Sequence, residues 1–421
     1  MAPSQEIVIT GCGVVNPIGI GNDAFWKSLC EGRSGVRRLE LFEAEDLPVP
    51  FGAAVDDFEP KRYVRPRKSL KVMSRDIQLA FAAADFACTQ AELRENPVDP
   101  ERMGIVFGAE VIPCEIPELS PAFMGCMTNG EFDFSRWGET AMAELNPLWL
   151  LKYLPNMPAC HIGIAQDARG PNNSLTEGDI SGLLAVTEAV RVIERGHADA
   201  MIAGGCGTRI NPGFWLRRGI FGCSQRGDNP AGACRPFDAQ RDGMVCGEGA
   251  GAFVLETLQH AEARGATILA RVLGVAGSFE PLRNGSVLKG TAIRHAITAT
   301  LRDAEVEPTD IGHVNANGLS SRHDDRIEAA AIREILGDVP VTAPKSYFGN
   351  HGAGAGASEM AVSVMALHHG LIPPTLNYST PDPECPVNVI HGEPMKVDQP
   401  TALVLNHTIF GQAVAVLLGA V

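Results

Sequence analysis

No stretch of the sequence approaches about eighteen uninterrupted apolar residues, the length a helix needs to cross a bilayer. The amino terminus, Met1 to Glu6, lacks a basic region followed by an apolar run and a cleavage site. The expectation is a soluble cytoplasmic protein with no membrane contact. The eleven cysteines are odd in number and fall without any Cys-x-x-Cys pair, which argues against both a disulfide framework and a zinc cluster. Positive charge is also short. With 35 Lys and Arg against 50 Asp and Glu, the net charge of −15 argues against nucleic acid, whose phosphates need a basic surface. The glycine-rich stretches lack the spacing of a phosphate-binding loop, so no bound cofactor is expected. No low-complexity run is long enough to be a linker.

What remains is the composition of a compact α/β protein. The 421 residues, 45% of them hydrophobic, suffice for a large buried core. Ile7 to Val15 is a β-rich run followed by a helical pattern from Asn22 to Glu31, and strand signatures return at Arg102 to Glu110, Ala198 to Gly205 and Gly251 to Glu256. Alternating β and α elements imply a sheet with helices on its faces. Asp179 to Gly196 and Gly354 to Gly370 share a small-residue opening, an apolar-periodic helix and a closing glycine. That likeness points to a duplicated α/β unit.

One local departure from the acidic balance stands out. The run from Lys61 to Arg75 (KRYVRPRKSLKVMSR) holds seven basic residues and no acidic one. It is either a solvated helix face or a positive patch awaiting an acidic partner.

RPFDAQRDGMVCGEGAGAFVLE, from Arg235 to Glu256, closely resembles the most recognisable block of β-ketoacyl synthases, the condensing enzymes of fatty acid and polyketide assembly. TGCGVVNPIG near the start, LPNMPACHIG at Leu154 to Gly163, VNANG at Val314 to Gly318, KSYFGN at Lys345 to Asn350 and IFGQ at Ile409 to Gln412 follow in family order. The resemblance implies the thiolase fold, a five-layered αβαβα sandwich of two duplicated βα halves. It places the halves at residues 1–260 and 261–421, with cap and docking insertions at about 30–75 and 110–160 of the first.

In that family a cysteine holds the acyl chain while two histidines polarise the malonyl thioester. Counting without a gap from Gly170 and Pro171 to Leu183 puts Asp179 at the cysteine position. Asn317 stands at the first histidine position, in Val-Asn-Ala-Asn-Gly, and Asn350 at the second, five residues after Lys345. A carboxylate cannot form a thioester, and an amide cannot carry a proton near neutrality as imidazole can. As a helix-start residue, Asp179 also suits a capping role. His351 follows Asn350 directly, and a local slip would bring it inward. His313 and His323, which flank Asn317, read as ordinary surface or strand-end histidines. Lys345 and Glu359 match the charged pair that braces the family's active site, and Phe410 matches the phenylalanine of its gating loop.

The family docks acyl carrier protein on basic residues in the segment corresponding to Lys61, Arg62, Arg65, Arg67, Lys68 and Lys71. The resemblance thus implies an acidic carrier protein as partner, its phosphopantetheine arm serving as substrate carrier. Three functions follow. One is a non-condensing partner of an active ketosynthase, of chain-length-factor type, in a heterodimer or a homodimer. Another is an enzyme acting on carrier or coenzyme A thioesters with Asp179, its pKa raised by burial, as general acid or base. The last is an ordinary 3-oxoacyl carrier-protein synthase with a displaced cysteine.

Overall fold

The computed structural model describes residues 6–40, 49–218, 222–282 and 286–421. Met1 to Gln5 and residues 41–48 of the first expected insertion lie outside the described residues.

The apolar runs form the strands of one mixed sheet. In the first half these are β1 (Ile7–Asn16), β2 (Met103–Gly108), β3 (Asn172–Leu175), β4 (Ala200–Thr208) and β5 (Glu248–Thr257). In the second they are β6 (Ala270–Phe279), β7 (His313–Asn315), β8 (Pro340–Thr342), β9 (Asn388–Val389), β10 (Thr401–His407) and β11 (Gln412–Gly419). β1, β2 and β4 are buried along their whole length, so their near-continuous apolar sequence reflects cover on both faces.

Across the sheet the order is β9, β8, β7, β10, β11, β6, β1, β5, β4, β2, β3. The halves repeat one another. In the first, β3 and β2 and then β2 and β4 pair in parallel, while β4 with β5 and β5 with β1 are antiparallel. In the second, β8 with β7 and β7 with β10 are parallel, while β10 with β11 and β11 with β6 are antiparallel. A short antiparallel contact of Ile7, Val8 and Ile9 with Val272, Arg271 and Ala270 joins the two.

Five helices complete the layers: α1 (Arg75–Gln90), α2 (Ser181–Glu194), α3 (Thr291–Asp303), α4 (Arg322–Leu336) and α5 (Ala355–His369). α1 covers the outer face of the first half and α3, backed by α4, that of the second. α2 and α5 lie between the two sheet halves and touch each other. α5 is accordingly buried from Ala355 to Leu367, the pattern of a helix with no solvent face. Small residues permit this proximity. A Cβ on Gly182 would lie 2.6 Å from the Ala353 carbonyl oxygen, and one on Gly13 would lie 2.6 Å from the Ala87 nitrogen of α1.

The segment from about residue 110 to 160 folds as short helices, among them Ile116–Gly125 and Trp149–Lys152, over a small cluster of Ala122, Cys126 and Ala141. It leaves Phe123, Phe132 and Phe134 exposed, their rings in contact with one another and with Trp137.

Candidate functional site

After β3 the chain turns through Gly178, at φ +64°, into a single 3-10 turn from Gly178 to Ile180 that feeds α2. The expected capping role for Asp179 is not what the structure shows. Ser181 Oγ manages this turn, accepting from the Glu177 amide at 2.8 Å and donating to the Gly178 carbonyl at 2.7 Å. The Asp179 carboxylate instead forms an ion pair with Arg209 and accepts a hydrogen bond from Asn350 Nδ2 at 3.0 Å. Arg209 in turn donates to Glu110, from Nε to Oε2 at 3.1 Å and from Nη2 to Oε1 at 2.8 Å. Its guanidinium carbon lies 5.4 Å from the centre of the Phe214 ring.

Arg209 and Glu110 were not foreseen from the sequence. Each follows a buried, largely apolar strand, Glu110 just past β2 and Arg209 directly after β4, and those parallel neighbours run in the same direction, so their ends meet. A charged residue at the end of an apolar strand was the available signal.

Burial alone would raise the pKa of Asp179. The Arg209 charge, the hydrogen bonds from Asn350 and Arg209 and the Lys345 charge together outweigh it and hold the carboxyl below its ordinary range. This corrects the expectation of a carboxyl raised toward neutrality. A general acid or base at neutral pH needs the opposite shift. Burial would likewise depress Arg209, but the Asp179 and Glu110 carboxylates hold it above its ordinary value.

Asn317 sits in a second cluster. Its Oδ1 accepts from Lys345 Nζ at 2.8 Å and from Asn406 Nδ2 at 3.0 Å, and its backbone amide donates to Glu328 Oε1 at 2.7 Å. Asn317 Nδ2 is buried without a partner among the described residues. Lys345 forms a buried ion pair with Glu359, whose other oxygen accepts from Asn406 Nδ2 at 2.9 Å. Asn406 and Glu328 are further members that sequence reasoning missed. Asp179 and Asn350 therefore meet directly, whereas Asn317 is held by Lys345 and Asn406.

Asn350 is buried, and its Oδ1 accepts from the Gly352 amide at 3.0 Å. His351 turns away. Its Nε2 lies 3.0 Å from Ser358 Oγ on α5, and burial, then the Lys345 charge, press its pKa down to about 3. Of the two expectations for His313, surface or strand end, the second holds, since it opens β7. It is fully buried in β7, and burial pushes it down to about 4. His323 is half-buried beside Arg326. Cys246 comes nearer to the site than its sequence position suggests, since its backbone bridges to Asn350. Its thiol faces Cys223, with the sulfurs 3.8 Å apart.

Phe410 is 52% exposed in the loop that joins β10 to β11. That loop is tied to the Asp179 turn by Gln412 Nε2, which donates to Glu177 Oε2 at 2.8 Å. Lys61, Arg62, Arg65, Arg67, Lys68 and Lys71 are all exposed, on and between a short helix (Pro60–Tyr63) and a 3-10 turn (Arg67–Val72). Arg62 pairs with Glu59 at 3.0 Å, while Arg67, Lys68 and Lys71 have no carboxylate partner among the described residues. Arg75 points inward and pairs with Glu248 at 2.8 Å, so it does not belong to the patch.

Comparison with known proteins gives a consistent result. Residues 4–261 match the family described as beta-ketoacyl synthase, N-terminal domain, and residues 269–379 match its C-terminal domain. The chain is 36% identical over 400 residues to a putative polyketide beta-ketoacyl synthase 1 of Streptomyces cyaneus, covering 92% of this chain and 91% of that one. Among solved structures it resembles the ishigamide ketosynthase/chain length factor, at a TM-score of 0.87 and 28% identity, over 99% of this chain and 100% of that one. It also resembles a type II polyketide synthase acyl-carrier protein complex with its ketosynthase, at a TM-score of 0.82 and 27% identity over the same shares. Among the described residues no helix is long and apolar enough to cross a membrane.

Proposed function

The chain belongs to the β-ketoacyl synthase family, and from that premise we propose that it is a non-condensing subunit of chain-length-factor type, which pairs with an active ketosynthase and receives an acyl carrier protein. The observation that carries this reading is the chemistry of the three reactive positions. They hold a carboxylate kept ionised by Arg209 and two amides, one of which is spent on that carboxylate. Neither a thiolate nor an imidazole is available there to hold an acyl group or move a proton.

Three surface features support the partners. The exposed aromatic cluster of Phe123, Phe132 and Phe134 is the kind of apolar patch that marks a protein interface. Among the described residues β3 ends the sheet, an edge that invites another strand. The unpaired cations Arg67, Lys68 and Lys71 suit an acidic carrier protein, because opposite charge speeds and orients encounter.

The test is co-expression with a ketosynthase that retains a cysteine and two histidines, followed by mass determination and a condensation assay on malonyl units. A stable pair that condenses, beside an isolated chain that does not, is the expected result. Condensation by the isolated chain refutes the proposal. So does turnover of a thioester by the isolated chain that Asp179→Ala abolishes.

A further inference from the structure

If this subunit receives a carrier-bound acyl chain, the space in front of the Asp179 turn decides whether the chain can enter it. That space is occupied. Arg209 is only 7% exposed and spans the gap between Asp179, at the start of α2, and Glu110, at the end of β2. The main chain closes on the same group from another side. Gly352 adopts φ +64°, and a Cβ added there would collide with Glu110 Oε2 and come within 2.8 Å of Arg209 Nε. Asn350, two residues earlier, seals the arrangement by donating to Asp179 and accepting from the Gly352 amide.

We propose that Arg209 is a stopper: clamped by Glu110 and Asp179, its guanidinium closes the reactive-centre cavity of this subunit to alkyl chains. An apolar chain could enter only by displacing a guanidinium from its two carboxylates, and it offers none of the hydrogen bonds those groups would lose. The acyl chain of the assembly is then housed on the partner's side. This inference rests on the function proposed above and adds to it the residue that assigns the chain to one subunit.

The test uses the isolated full chain and S-decyl pantetheine, a thioether that cannot react, with a photoreactive diazirine at the end of its alkyl chain. Binding is read by calorimetry and location by crosslinked peptides. The wild type is expected to show no saturable binding and no crosslink in residues 176–183. The charge-balanced variant Arg209→Ala/Glu110→Gln/Asp179→Asn is expected to bind at least about tenfold more tightly and to crosslink in that turn. Asp179→Asn alone, which leaves the guanidinium in place, is expected to behave as the wild type. Crosslinking of the wild-type turn by the decyl probe overturns the proposal, and this arm stands even where the triple variant does not fold. A folded triple variant that gains no binding also overturns it. No ketosynthase is present in the assay, so a failure to form a heterodimer leaves this readout unaffected, and an open cavity here leaves the pairing intact.

Discussion

Arg209→Ala is expected to destabilise the protein severely, and more at neutral pH than in acid. The wild-type cluster sets one guanidinium against two carboxylates, all three largely buried. Removing the cation strands Asp179 and Glu110 as neighbouring buried anions. Breaking a buried pair in this way costs about 3–5 kcal/mol, because the remaining charge loses its partner but keeps its desolvation penalty. The pH dependence has a definite sign. In the wild type the folded pKa of Asp179 lies below its unfolded value, so its contribution is present above the unfolded value and is lost as pH falls through the folded one. In the variant Asp179 loses the Arg209 charge, the largest of the effects that oppose its burial, and with only the Asn350 hydrogen bond and the Lys345 charge left against burial its pKa moves upward. The variant is therefore least stable at neutral pH and recovers relative to the wild type as Asp179 protonates. Urea unfolding at pH 7 and at about pH 4.5, compared with Glu110→Gln/Arg209→Ala/Asp179→Asn, separates lost charge balance from lost packing. The triple variant should regain most of the stability at pH 7. A cost for Arg209→Ala below about 1 kcal/mol, or one that does not shrink in acid, would refute a buried ion cluster at this site.

Three further outcomes follow from the same geometry. Reversing the free cations with Arg67→Glu/Lys68→Glu/Lys71→Glu should slow carrier-protein association and flatten its salt dependence while leaving the melting curve nearly unchanged, as stopped-flow binding at two ionic strengths would show. Lys345→Met should cost about 3–5 kcal/mol in chemical denaturation, since it leaves Glu359 buried without its cation. Gly13→Ala should cost at least about 1–3 kcal/mol despite adding one methyl group, because its Cβ would press on the backbone of α1, and thermal melting reads this directly.

The fold was largely legible because its signals are local and repeated. The apolar run Ile7 to Val15 is β1 with one residue added, and the two helices matched by their small-residue openings are α2 and α5, which meet between the sheet halves. The position of Asp179 was also readable, since the count across its turn needs no gap. Its partners were not. Glu110 and Arg209 lie 99 residues apart and meet only because β2 and β4 are parallel neighbours, a fact of topology that no local pattern carries. Missing them reversed the reading of Asp179. Alone at a buried helix start it suggests a cap or a raised carboxyl, whereas beside a guanidinium it is an ionised anchor. His351 shows the complementary limit. One residue of register separates it from Asn350, and only the packing of its ring against Ser358 shows which of the two faces Asp179.

The charge count of the site bears on the proposed lack of condensing chemistry. The Asp179 cluster holds two carboxylates, Asp179 and Glu110, and one guanidinium, while nearby Lys345 faces Glu359 and Glu328 lies 3.7 Å from His407, whose pKa it holds above the ordinary value against burial. The residual charge of −1 sits at the amino terminus of α2, whose dipole supplies roughly half a positive charge. This site therefore presents a small net negative charge to an incoming group. A substrate that carries its own carboxylate is repelled by that field, and its developing negative charge would find Asn317 Nδ2, which has no partner among the described residues, where the family's imidazoles would otherwise serve. Restoring a thiol by Asp179→Cys would remove one negative charge and also release one side of the Arg209 clamp, leaving a guanidinium held by Glu110 alone beside the new sulfur. Asp179, Asn350, Arg209 and Glu110 thus form one electrostatic unit, with Asn317 in the neighbouring cluster of Lys345, Glu359, Asn406 and Glu328, so a single substitution at Asp179 alters the first cluster and leaves the second as it stands.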